Sequence, residues 1–260
     1  MRFSSVSLDD LTIDDERSFR HVGLYGDLKQ VLAKSGYRFR VPEGGAAPSW
    51  DRVVFLNLTF WTPDDQGDVL AGPNIEADVV AHVAWHHLCR KALPGSPASA
   101  DSMFLGESIA SAFDLFLVGR LLGHAPEATF LETQVPAMAD AAENAGLDEA
   151  GFESLLESIA ADPDRAFEDL RALLFDAGTA LLGCAGPTEA ARALEAFEAH
   201  RFAPLLHHYE LSNWILYARA HAARPHAPDP AARAIDEALR SAKVSLDWLD
   251  ERWVQPALRG

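Results

Sequence analysis

Cysteine is scarce: Cys89 and Cys184 are the only two in 260 residues. They fall in different predicted helices. Neither a disulfide framework nor a Cys-based metal or redox site is expected, and two free, buried thiols in a reducing, cytoplasmic compartment are. Positive charge is also short, with 22 Lys and Arg against 39 Asp and Glu, a net charge of −17 and a pI of about 4.9. Such a chain repels phosphate backbones and anionic bilayers, which argues against nucleic-acid and membrane partners. No stretch approaches the roughly 18 uninterrupted apolar residues of a membrane span. The opening MRFSSVSLDDLTIDDER lacks the apolar centre of a secretory signal and turns acidic quickly. Internal repeats and low-complexity tracts are missing too, and no composition shift marks a second domain.

What remains is the composition of a globular domain. Hydrophobic residues make up 48% of the chain and its mean hydropathy is −0.05, enough to bury a sizeable core. Alanine is abundant, which favours helix. Residues 1–20 read as an extended lead-in. Phe19–Ser35 has helical periodicity and stops at Gly36. Tyr37–Val41 alternates like a half-buried strand. Pro42–Ser49 reads as a loop, Asp51–Trp61 (DRVVFLNLTFW) as the strongest strand, and Thr62–Pro73 as a second loop. A helix follows over Ile75–Leu93, with Asn74 as its expected N-cap. A second, apolar nearly all round and therefore buried, covers Ser102–Leu122. Helical pattern continues over 126–145, 148–161, 164–183, 187–223 and 229–254, with Pro204 expected to bend or break the helix it falls in. The expected fold is one α+β domain over 1–260, predominantly helical, with a small N-terminal antiparallel sheet (37–61) packed on a large helical body (74–254).

The chemistry concentrates in IEADVVAHVAWHHLCRKAL, residues 75–93. Asp78, His82 and His86 recur every four residues and so stack on one helix face. Val79, Val83 and Leu88 lie beside that face and turn it inward. Two imidazoles one turn apart can reach one ion, since their Cβ atoms stand about 5–6 Å apart. The same spacing also suits a hydrogen-bonded pair, Asp78 with His82, and no ion. In the second helix Glu107 sits among apolar residues, where an unpaired charge costs several kcal/mol, and Asp114 follows two turns later on the same stripe. A metal with histidine ligands is one partner that would satisfy both acids. His207 and His208 form a second cluster beside Glu210. Adjacent residues diverge by about 100° on a helix, so either one of them faces a pocket or both lie at the surface or hydrogen-bond to neighbouring carboxylates. Either would serve as a fourth ligand or an acid/base group. Cys89, Trp85 and Trp214 read as core, and the acids of 140–169 as a solvated face.

A strand, a loop, a helix carrying His82-Val-Ala-Trp-His86 and a second helix opening with Gly106-Glu107-Ser-Ile-Ala resemble the gluzincin pattern of zincin metallopeptidases. The resemblance spans residues 51 to 118. It implies zinc held by His82, His86 and Glu107, with Asp114 supporting the ligands from behind; Asp78, one turn before His82, is expected beside it on the strength of its spacing. It departs at Val83, where that family carries the Glu that acts as general base. Ordinary peptidase activity is therefore not expected. The resemblance implies a divergent or inactive metallopeptidase relative acting on an unidentified small molecule or protein. Two alternatives stay open. One is a helical carboxylate–histidine iron enzyme, drawing ligands from Glu76, Asp78, His82, Glu107, His207 and Glu210. The other is a metal-free helical protein whose acidic surface binds a basic partner.

Overall fold

The computed structural model describes residues 2–43, 67–94, 98–222 and 225–260. The strand read at Asp51–Trp61 therefore lies outside the described residues, with most of the first flanking loop and the first residues of the second. The lead-in is extended only at Phe3–Ser7 and Thr12–Asp14, with a 3₁₀ turn at Leu8–Asp10 between them, and both extended pieces are held by pairing. Strand β1 (Phe3–Ser7) runs antiparallel to β3 (Arg38–Pro42), with Val6 opposite Phe39. Phe39 and Val41 are buried while Arg38 is exposed, as their alternation demands. Strand β2 (Thr12–Asp14) runs parallel to β4 (Asn74–Glu76), with Ile13 opposite Ile75.

That second pair corrects the expected start of the helix read over Ile75–Leu93. Asn74 is not its cap. The ladder with β2 holds residues 74–76 extended, the Asn74 amide donates to the Asp14 carboxylate, and Glu76 occupies the N-cap position. The Phe19–Ser35 pattern is likewise divided, into a short turn at Glu16–Phe19 and helix α1 (Gly23–Lys34). It ends before Gly36, whose φ of +66° is one that glycine adopts without steric cost.

Helix α2 (Ala77–Ala92) and helix α3 (Ala100–His124) follow. Ser99 caps α3 by accepting the Ser102 amide. Around them stand α4 (Thr129–Asn144), α5 (Glu149–Ala161), α6 (Pro163–Leu182), α7 (Pro187–Glu195), α8 (Leu211–His221) and α9 (Pro230–Ser241). A C-terminal run of short helical segments covers Ser245–Arg259. The small antiparallel sheet near the N-terminus packs against this helical body, so the fold is α+β and predominantly helical. By length and composition α3 is apolar enough to cross a bilayer, but 78% of its most apolar window is buried against other helices. It packs chiefly on α6 and α2.

Two long helical stretches are broken. Residues 187–223 form α7, a 3₁₀ turn at Ala203–Tyr209 and α8. Pro204 lacks the amide proton an α-helix needs, and Glu210 closes the turn with φ +47°. Residues 229–254 break after α9, where the Ser245 hydroxyl donates to the Leu239 carbonyl.

Candidate metal centre

His82 and His86 lie one turn apart on α2, and Glu107 and Asp114 lie on α3 beside them. The histidine Nε2 atoms stand 3.2 Å apart, and His86 Nε2 is 3.6 Å from Glu107 Oε2. One donor atom from each of His82, His86 and Glu107 falls within 4.8 Å of the others, so the three can hold a metal ion. Donors at 2.0–2.1 Å around a tetrahedral zinc are separated by about 3.3 Å, close to both measured contacts. Glu107 is 9% exposed and makes no hydrogen bond among the described residues.

Convergence depends on how closely α2 and α3 approach. A Cβ added at Gly106 would stand 3.3 Å from Cys89 Sγ and 3.6 Å from His86 Nδ1. Glycine thus lets the two helices meet where Glu107 faces His86. Cys89 itself is core, and burial pushes its thiol up to about 12, so it offers no thiolate.

His82 Nδ1 donates to Asp114 Oδ2 at 2.9 Å. Among the described residues its partner is this acid across the helix interface and not Asp78 one turn before it. A carboxylate only accepts, so the bond fixes the proton on Nδ1 and aims Nε2 at His86 and Glu107. Burial disfavours the charged form of His82, but the charge and hydrogen bond of Asp114 outweigh it and raise the pKa to about 9. His86 lies well below its ordinary value, through burial first and then the nearby His82 and Arg90 charges. The two shifts run in opposite directions, so His82 is the more basic ring of the pair and is the one placed to donate across the 3.2 Å contact to His86. Burial, with Asp114 nearby, lifts Asp78 to about 7. Burial also lifts Glu107 to about 7, against the attraction of His82.

The centre opens into a cavity of about 340 Å³ between α3, α4 and the Ala203–Tyr209 turn with α8. His208 lines it, while His207 is exposed and stands outside it. Burial keeps the His208 pKa below its ordinary value. Trp85 is buried core, whereas Trp214, also buried, forms part of the cavity wall. The wider pool of iron ligands is not gathered: Glu76, His207 and Glu210 are exposed, and none joins the His82–His86–Glu107 group. Tyr209, Gln134 and Asn213 also line the cavity, and sequence reasoning missed them. One signal was available for that wall: Pro136, two residues past Gln134, withholds a backbone donor inside the otherwise continuous α4. Comparison with protein-family models, curated proteins and solved structures finds no match for this chain.

Proposed function

We propose that the chain is a metal-binding protein, zincin-like in its donor set, whose His82, His86 and Glu107 hold one zinc ion facing the cavity. The convergence of those donors from two helices, with Asp114 orienting His82 from behind, carries the reading. Two histidines and a carboxylate with an open side are the donor set of hydrolytic zinc, and zinc there supplies Lewis acidity toward a water or a carbonyl oxygen. Asp114 keeps the His82 Nε2 lone pair directed at the ion. His208, held neutral by burial on the cavity wall, is the group placed to take up a proton. Val83 cannot do so: it is buried and does not line the cavity.

A second reading rests on the same donors, since two histidines and one carboxylate also suit non-haem iron(II). Elemental analysis of protein purified without added metal separates the two. About one zinc per chain supports the first and about one iron the second, while no metal overturns both. Replacing His82, His86 or Glu107 with Ala should lower metal content and melting temperature together, because an ion bound only by the native state stabilises it.

A further inference from the structure

The cavity in front of the metal centre has a charge and a shape that the donors alone do not explain. Its lining includes the carboxylates Glu107, Asp114 and Glu210, and among the described lining residues there is no Lys or Arg. Glu107 belongs to the proposed metal set, and Asp114 is engaged by His82. Glu210 is left. It is exposed at the cavity edge and accepts a hydrogen bond from the Asn213 amide at 2.6 Å, with no ion pair among the described residues. Its backbone takes the left-handed conformation, φ +47° and ψ +45°, at the junction of the 3₁₀ turn and α8. A non-glycine residue is strained there, and the turn brings His208, Tyr209 and Glu210 to the same cavity. The lining also holds the apolar side chains of Leu115, Val118, Met138 and Trp214. A space of about 340 Å³ is at the small end of ligand sites, suited to a compact metabolite-sized molecule.

We propose that this cavity binds a small organic amine, its protonated nitrogen at Glu210 and its apolar body against Trp214 and Met138. At the Glu210 edge of the cavity, away from the proposed ion, an anionic ligand meets a carboxylate with no ion pair among the described residues, in a chain of net charge −17. A neutral ligand leaves the Glu210 carboxylate without a counter-charge. An ammonium group gains both the carboxylate and the field of the whole acidic chain. The inference rests on the metal reading only in assigning Glu107 and His82 to the ion.

Isothermal titration calorimetry of the full chain, zinc-loaded and chelator-treated, with 2-phenylethylamine and its neutral isostere 2-phenylethanol tests this. The amine should bind at least about tenfold tighter than the alcohol. Glu210→Gln should remove most of that difference and leave zinc content and alcohol binding unchanged. Asn213→Lys, also at an exposed position, sets a fixed cation beside Glu210 and should remove the difference as well. An amine that binds no tighter than the alcohol, or a preference that survives both substitutions, overturns the proposal. A preference retained by protein that takes up no zinc would overturn the metal centre and leave the amine site standing. Stoichiometric zinc with no amine preference would do the reverse.

Discussion

At the scale of single residues, the contact between His82 and Asp114 decides most about the centre. The carboxylate sets the imidazole tautomer and its aim, and such partners typically contribute 10–100-fold to metal affinity. Asp114→Asn should therefore weaken zinc binding by about that factor while the helix content stays the same, measured by competition with a chromogenic chelator. An unchanged affinity would show that the contact is only packing. His208 makes a separate prediction about stability. Its folded-state pKa is depressed below the ordinary 6.5, so the unfolded chain binds its proton more readily. The stability it contributes is complete above about pH 6.5 and falls as the pH drops below that value. His208→Gln should flatten this part of the pH dependence, read from urea unfolding at about pH 7.5 and about pH 5. An equally steep decline in the variant would assign it to other groups.

At the scale of elements, the site is a property of the α2–α3 interface. Each helix follows from its own sequence: α2 from unbroken helical pattern, α3 from apolar residues capped by Ser99. Their separation at the site is set by Gly106 against Cys89. Gly106→Val should push the helices apart and reduce zinc affinity at least tenfold although all three donors remain. Gly106→Ala should have a smaller effect, because its Cβ needs only a few tenths of an ångström from the Cys89 sulfur. Adding Cys89→Ala supplies that space, so the double variant should recover affinity relative to Gly106→Ala alone. Strictly additive losses in this double-mutant cycle would mean the two side chains do not compete for the same space.

At the scale of the molecule, the centre sits at one edge of a core that does not depend on it. Helices α3 and α6 bury Phe104, Phe113, Phe167 and Leu174 against each other and their neighbours without help from an ion. Chelation should leave helical circular dichroism intact. Zinc at about a hundred times its dissociation constant should raise the melting temperature by about 5–10 °C, from roughly 2.7 kcal/mol of binding free energy in a chain of this length. Casein or peptide turnover should stay about 10²–10⁴-fold below that of an ordinary metallopeptidase, since Val83 offers no base; chelator-sensitive turnover at the ordinary rate would refute this. The sequence by itself determined what depends on residues a few positions apart. The helices are of this kind, as are the pairing of His82 with His86 and the breaking of helix at Pro204, because period, capping and backbone donors act locally. Tertiary structure alone decided what depends on distant segments. The N-terminal residues pair with 38–42 and 74–76, His82 takes Asp114 in place of Asp78, and His208 rather than His207 lines the cavity. Each of these is settled by which surfaces pack together, and a helical or strand period specifies a face without specifying the face it will meet.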